Sequence, residues 1–236
     1  MKEIDRPLQL VIARHGESHR NRAKKGNTYF ADEEARRMVK GIPDHLIPLT
    51  KAGIAQAQKT GLYLRERFGV PDYAYHSGYA RTLETLKGIL SAFPADEQSQ
   101  IRVRMNQFIR ERDPGYTYDM TVEEAEAAFP WLPEHWSTFG GFFARPPGGE
   151  SLSDVSQRVY TFLNTLFRDR AGKKVWVVSH GGTLRAFRFI LEHWDYEQAL
   201  KWPDGQSPEN CGITVYNFDD DAQRLVLQEY NTVCWR

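Results

Sequence analysis

The sequence predicts a three-layer α/β/α sandwich with a mainly parallel central sheet, an antiparallel edge and a cap-like insertion. Three features carry that expectation. Apolar runs of strand length alternate with helical patterns, as in parallel sheets joined by crossover helices. Two of the runs, Leu10-Val11-Ile12-Ala13 and Val175-Trp176-Val177-Val178, are apolar on both faces, like strands covered on both sides. Two segments near the end, Gly212 to Phe218 and Arg224 to Tyr230, flank Asp219-Asp220-Asp221 and read as a hairpin that adds the antiparallel edge.

The elements follow in order. The first strand ends abruptly in Arg14-His15-Gly16-Glu17-Ser18. A polar, charged stretch follows, in which Asp32 to Lys40 suits a short helix with acidic residues first and basic residues last. Gly41 and Pro43 break it, and Thr50 caps a strong helix from Lys51 to about Phe68. Tyr73 to Ser77 is a second strand, leading through Gly78-Tyr79-Ala80-Arg81-Thr82 into a helix to about Phe93. Residues 101–111 suggest a third, shorter strand. Residues 116–149 are rich in Tyr, Phe, Trp, Pro and Gly, too aromatic for a disordered linker. They read as an ordered excursion with one short helix, Val122 to Phe129. Ser151 to Asp154 resembles a capping box and opens a helix to about Asp169. The strand at Lys173 to Ser179 runs into His180-Gly181-Gly182-Thr183, then a helix from about Leu184 to Glu192.

Bulk composition narrows the function. The 236 residues are 41% hydrophobic and 26% charged, consistent with one domain, here 1–236, with insertions at about 22–42 and 112–149. Lys plus Arg equals Asp plus Glu, at 31 each, so no global field draws nucleic acid or an anionic membrane. No apolar run approaches a membrane span, and the segment from Met1 to Pro7 lacks a signal-peptide core. Cys211 and Cys234 follow no metal or redox spacing and read as reduced thiols, which points to the cytoplasm. Oligomeric state is not fixed by the sequence; a homodimer is compatible with it.

In a parallel sheet, the carboxyl ends of the strands share one rim, where ligands bind. Arg14, His15, Arg81 and His180 would meet there. Two guanidinium groups and two imidazoles suit a dianionic phosphoryl group. The helix after His180 would add free backbone N–H groups to the phosphate-binding set, with Gly181 in the turn before it. His15 and His19 lie four apart, but no H-E-x-x-H pattern or further ligand cluster accompanies them, so no metal is expected. His45 and His76 read as structural, and Glu150 as a charge favouring the helix N-terminus that follows it.

Taken in order, these pieces resemble a known family. Arg14-His15-Gly16-Glu17-Ser18 with Asn21, Pro48-Leu49-Thr50 with Gly53 and Gln56-Ala57, Ser77 with Arg81-Thr82, Gly149-Glu150-Ser151, and Val178-Ser179-His180-Gly181-Gly182 are similar to the histidine phosphatase superfamily, the phosphoglycerate mutase-like RHG group. The resemblance spans about residues 8–190. It implies that His15 is the nucleophile that becomes phosphorylated, that Arg14, Arg81 and His180 hold the phosphoryl oxygens, and that Asn21 lies near the phosphate. No cofactor is implied. A carboxylic acid must protonate the leaving oxygen and then activate water. Glu111 fits that role by its place in the chain, with Asp113 as its rival across Arg112.

Two departures set this chain apart from the mutases. About eighteen extra residues, carrying Lys24, Lys25, Arg36 and Arg37, follow the first motif, and Glu111-Arg112-Asp113-Pro114-Gly115 stands where mutases have Glu-Arg-His-Tyr-Gly. The expectation is therefore a metal-independent phosphatase acting on a phosphorylated small molecule or phosphoprotein. The excursion at 116–149 would cap the pocket. The basic insertion could meet a second anionic group, although a solvated helix is the simpler account of it. The alternatives are a phosphoglycerate mutase-type phosphotransferase and a non-catalytic phospho-ligand module.

Overall fold

A computed structural model of the chain describes residues 5–202 and 207–236; Met1 to Ile4, part of the N-terminal segment read above, lie outside the described residues. In chain order the elements are β1 (Gln9–Arg14), α1 (His19–Lys24), α2 (Glu33–Arg37), α3 (Lys51–Phe68), β2 (Tyr73–His76), α4 (Ala80–Leu90), α5 (Ala95–Gln100), β3 (Arg102–Met105), α6 (Val122–Ala128), α7 (Leu132–Phe139), α8 (Leu152–Asp169), β4 (Lys174–Ser179), α9 (Gly181–Leu191), α10 (Tyr196–Leu200), β5 (Ile213–Asp219) and β6 (Arg224–Thr232).

The six strands form one sheet in the order β3-β2-β4-β1-β5-β6. β1, β2, β3 and β4 pair in parallel, while β5 runs antiparallel to β1 and to β6. The expected mainly parallel sheet with an antiparallel edge is what the chain builds. Side chains alternate across β1, so its all-apolar sequence feeds two cores at once. Leu10 and Ile12 pack with Phe162 and Leu166 of α8 and Phe187 of α9. Val11 and Ala13 pack on the other face with Leu64 of α3 and Leu86 and Ile89 of α4. Burying β1 from both sides leaves no freedom in the placement of the residues at its carboxyl end.

Several boundaries differ from those the sequence suggests. The helix expected over 32–40 is shorter: Asp32 caps it, and Val39 turns inward to a small cluster with Ala23, Phe30 and Ile47. The third strand stops at Met105, because Asn106 accepts from the Phe108 N–H and starts a tight turn that carries Ile109 into the core. The helix after His180 begins at Gly181, three residues earlier than expected. The aromatic excursion holds two α-helices, α6 and α7, where one was expected. α1 stands in a stretch that carries no apolar periodicity; a reciprocal Ser18–Asn21 capping box starts it.

The two insertions are joined to each other. Phe30 N–H donates to the Met120 carbonyl at 3.1 Å, and Val122 N–H donates to the Phe30 carbonyl at 3.0 Å. Arg36 pairs with Glu33 on its own helix and with Glu124 of α6. Residues 22–42 and 112–149 are thus tied together, with Arg36 as a structural pin between them.

Candidate active site

The site gathers at the carboxyl ends of β1, β2 and β4. His15 follows β1, is 2% exposed, and donates its backbone N–H to the Ser179 carbonyl at 2.9 Å. Gly16 is needed for close approach. A Cβ there would lie 2.6 Å from the Gly53 carbonyl oxygen, so the loop lies directly on the first turn of α3. Gly16 N–H donates to Thr85 Oγ1 at 2.9 Å, and Asn210 Nδ2 donates to the His15 carbonyl at 2.9 Å.

The imidazole of His15 has one settled tautomer. Its Nδ1 lies 2.8 Å from the Gly16 carbonyl, an acceptor only, so Nδ1 carries the proton and Nε2 keeps its lone pair. Burial, then Arg81 and Arg14, push the His15 pKa well below its usual value, so the ring is neutral. A neutral ring with a free Nε2 is the nucleophilic form.

His180 follows β4 and is fully buried, with its ring centroid 5.2 Å from that of His15. Its Nε2 lies 2.8 Å from Ser77 Oγ, while its buried Nδ1 has no hydrogen-bond partner. Burial first, and Arg81 next, lower its pKa well below normal. Arg14 donates Nη1 to the Pro208 carbonyl at 2.7 Å and leaves a buried Nε unpartnered. Arg81, 3% exposed, holds Asp44 through Nη1 and Nη2 at 3.0 and 3.3 Å. An unpartnered Arg14 Nε–H beside a free imidazole nitrogen is what an incoming tetrahedral anion would satisfy.

The two candidate acids separate cleanly. Glu111 Oε2 is 3.7 Å from His180 Nδ1, and Oε1 accepts the Arg112 N–H at 2.9 Å. Desolvation raises the Glu111 pKa above the usual carboxylate range; Arg81 and the Arg112 N–H oppose it, and Asp44 adds to it. Asp113 is exposed and occupied with the N–H of Gly115. Glu150, directly before the α8 N-cap Ser151, is also an ion-pair hub. It pairs with Arg158 at 3.0 Å and with Arg110, and Arg158 also donates to the carbonyls of Phe108, Arg110 and Glu111. This buried cross-brace holds the Glu111 turn.

Asn21 lines the cavity. Its Oδ1 accepts from Ser18 N–H, Ser18 Oγ–H and Asn210, which leaves its NH2 group for the cavity. Gly181 starts α9 beside Arg14, where a Cβ would lie 3.8 Å from Nε. His15, Glu111 and His180 offer donor atoms within 4.8 Å of one another, close enough for an ion. Arg14 and Arg81 bring two positive charges to the same place, which opposes a cation and favours an anion.

The cavity above His15 is about 270 Å³ and is also lined by Arg20, Lys24, Asp44, Arg112 and Tyr118. A second cavity of about 390 Å³, with Tyr29, Leu132 and Trp136 on its walls, shares Arg112 and Pro114 with it. Asp44, Arg20, Tyr118 and Asn210 were not singled out by sequence reasoning. Asp44 lies in a stretch legible only as a helix breaker, and Asn210 in a turn before β5; neither carries a local signal of its site.

The profile of the Histidine phosphatase superfamily (branch 1) matches residues 10–231. The chain belongs to that superfamily. Among curated relatives, it is 34% identical over 209 residues to the phosphoglycerate mutase-like protein AT74 of Arabidopsis thaliana, with 81% of this chain and 60% of that protein covered. It therefore spans less than two thirds of AT74. It is 27% identical to the broad-range acid phosphatase DET1 of Saccharomyces cerevisiae, covering 94% of this chain and 89% of that one. Among solved structures, the alpha-ribazole phosphatase from Shigella flexneri has the same fold, with a TM-score of 0.73 at 20% identity over 96% of this chain and 97% of that one. His15, Arg14, Arg81 and His180 are brought to the same carboxyl-end rim of the sheet. Among the described residues, no helix is long and apolar enough to cross a membrane.

Proposed function

We propose that this histidine phosphatase is a metal-independent phosphomonoester hydrolase working through phosphohistidine. The observation that carries the reading is the His15 Nδ1–Gly16 carbonyl contact, which leaves Nε2 as a buried, unprotonated nucleophile beside two arginines. Nε2 attacks the phosphorus in line, forming the N–P bond as the P–O bond to the leaving group breaks. Arg14 and Arg81, with His180 once its Nδ1 has taken up a proton, neutralise the charge on the equatorial oxygens. Glu111, whose carboxyl pKa desolvation raises, gives its proton to the leaving oxygen. In the second step the Glu111 carboxylate takes a proton from water. The resulting oxygen attacks phosphorus, the N–P bond breaks, and phosphate leaves with His15 restored.

The substrate is a phosphorylated small molecule or phosphoprotein whose leaving group extends toward the cap, with Trp136, Tyr29 and Leu132 supplying apolar contact. The protein acts in the cytoplasm, with Cys211 and Cys234 as free thiols. A mutase-type transfer is the second reading, favoured by the similarity to the mutase-like AT74. It would require the phosphoenzyme to outlast exchange of the bound product.

The test is hydrolysis of p-nitrophenyl phosphate, with and without EDTA, together with rapid-quench labelling from a radiolabelled ester. Acid-labile, base-stable label at His15, lost in His15→Ala, is the expected result. Activity that disappears with EDTA, or turnover without labelled histidine, would overturn it. Conversion of 3-phosphoglycerate to its isomer faster than phosphate release would favour the mutase.

A further inference from the structure

Phosphoryl transfer draws on side chains that follow the parallel strands, but the antiparallel edge also returns to that rim. β5 starts where β1 ends, with Ile213 opposite Ala13. β6 ends there too, with Thr232 opposite Ile213. Residues just before β5 and just after β6 therefore stand beside the His15 loop, although 195 positions separate Asn210 from His15.

The loop entering β5 holds the backbone of Arg14 and His15 at three points. Arg14 N–H donates to the Gly212 carbonyl at 3.1 Å, and Cys211 N–H donates to the Arg14 carbonyl at 3.1 Å. Asn210 Nδ2 donates to the His15 carbonyl at 2.9 Å. The last bond comes from a side chain with a second hydrogen to give, and the same Nδ2 donates to Asn21 Oδ1 at 3.2 Å. Asn21 Oδ1 is fixed as the oxygen by the Ser18 N–H, which donates to it at 3.1 Å. Both partners of Asn210 Nδ2 are acceptors, so the orientation of its amide is settled as well.

The peptide between His15 and Gly16 is thereby held at both ends, its carbonyl by Asn210 and its N–H by Thr85 Oγ1 at 2.9 Å. The Gly16 carbonyl that receives His15 Nδ1–H follows directly, so rotation of this peptide would displace the acceptor that orients the ring. Glycine resists such a rotation less than any other residue. Asn210 is in turn braced from outside. Trp235 Nε1–H donates to the Asn210 carbonyl at 2.8 Å, Arg236 pairs with Glu209, and Glu209 N–H donates to Asn231 Oδ1 at 2.7 Å.

We propose that Asn210, braced by Trp235, is a positioning residue for phosphoryl transfer. Its one carboxamide joins the carbonyl of His15 to Asn21, whose NH2 group is left for the cavity, and so keeps the ring and that donor at a fixed spacing. The proposal rests on the reading of His15 as the phosphoryl-accepting residue. A reacting group displaced by about 1 Å from outside the chemistry can cost about a hundredfold in rate.

The first test compares rate with the number of intact sites. Asn210→Ala should lower kcat/KM for p-nitrophenyl phosphate by about ten- to a hundredfold, while calorimetry still counts one tungstate site per folded chain. Lost activity matched by lost tungstate sites would mean a merely structural role and would overturn the proposal. Trp235→Phe keeps an aromatic ring but removes the N–H. It should cost about threefold alone and nothing further in the Asn210→Ala background. Additive losses would overturn the brace. Thermal melts check folding, and if Asn210→Ala does not fold, Trp235→Phe carries the same comparison.

Nitrogen NMR of the unliganded protein reads the His15 ring without turnover. The parent should show the Nδ1–H form alone, and Asn210→Ala a mixture with the Nε2–H form. Ring signals unchanged in Asn210→Ala would overturn the proposal whatever the activity. A parent that never carries label on histidine would overturn the reading of His15 instead, and the ring signals would still judge Asn210.

Discussion

His180 reaches Ser77 Oγ through Nε2 at 2.8 Å and holds a buried Nδ1 with no partner toward the phosphoryl site. The direction of that bond follows from its neighbours. Thr82 Oγ1 donates to the Tyr79 carbonyl at 2.8 Å, so it can only accept from Ser77 at 2.9 Å. Ser77 Oγ must then accept from His180 Nε2–H, and neutral His180 has a lone pair, not a proton, at Nδ1. To hold a phosphoryl oxygen the ring must gain a proton. In Glu111→Gln, which removes the nearest proton source, tungstate binding should take up about one proton per site at neutral pH. Calorimetry in two buffers of different ionisation enthalpy measures it. Ser77→Ala should weaken tungstate about tenfold, for one lost hydrogen bond to a charged group. Binding with no buffer dependence would show that the tautomer is the other one.

Glu111, not Asp113, should be the proton donor. Glu111→Gln should lower kcat/KM for alkyl phosphates by about 10²–10⁴ and for p-nitrophenyl phosphate much less, because a nitrophenolate leaves without help. Asp113→Asn, on an exposed side chain, should change either substrate by less than about threefold. The acid works only while protonated, so alkyl phosphate hydrolysis should fall as pH rises through the raised Glu111 pKa. That limb should vanish in Glu111→Gln. Loss of alkyl phosphate activity in Asp113→Asn would reverse the assignment.

The residues legible in the sequence are those at strand ends. Arg14-His15 and His180 stand where apolar strands stop, and a parallel sheet brings such ends together whatever the loops do. Glu111 could be placed but not separated from Asp113, because two acids flanking one arginine differ only in which side of the turn they face. The Glu150–Arg158 brace that decides it joins residues far from the turn in sequence. α1 was missed because its six residues bury only Ala23, leaving no apolar period to read. Asp44, Arg20 and Asn210 reach the site from loops or a short helix, whose course is set by tertiary contact. Gly16 against Gly53 was visible as two glycines, but their mutual contact was not.

Asp44 occupies the guanidinium that a phosphoryl group needs. It binds Arg81 through both carboxylate oxygens, and Tyr118 Oη donates to it at 3.1 Å. A dianion entering the site meets that negative charge. Asp44→Asn should therefore tighten inorganic phosphate or vanadate binding, by about tenfold for one near-surface charge repulsion removed. The same charge helps to raise the Glu111 pKa, so the alkaline limb of alkyl phosphate hydrolysis should move to lower pH in the variant. Competitive inhibition and a pH profile measure the two effects. Weaker phosphate binding in Asp44→Asn would mean that the carboxylate serves to hold Arg81 in place.

The unliganded site should also leave a mark on stability. His15 and His180 are both held uncharged, with folded pKa values well below 6.5. The unfolded chain protonates each near 6.5, so below that pH the unfolded state binds more protons. The stability these two residues permit is complete above about pH 6.5 and is lost as pH falls, at about 1.4 kcal/mol per pH unit for each ring. Glu111 acts in the opposite sense: its raised pKa favours the folded state at low pH and loses that contribution as pH rises through it. The histidine contribution is therefore read as a difference between variants. Urea midpoints from pH 7.5 to 5 should fall more steeply for the parent than for His15→Asn or His180→Asn, each of which removes about one ring's worth of slope. Saturating tungstate should flatten the parent's curve, because the anion stabilises the protonated His180 that acid produces. Parallel curves for parent and both variants would mean that the rings titrate normally in the folded protein, and a neutral His15 could no longer be the basis of its nucleophilicity.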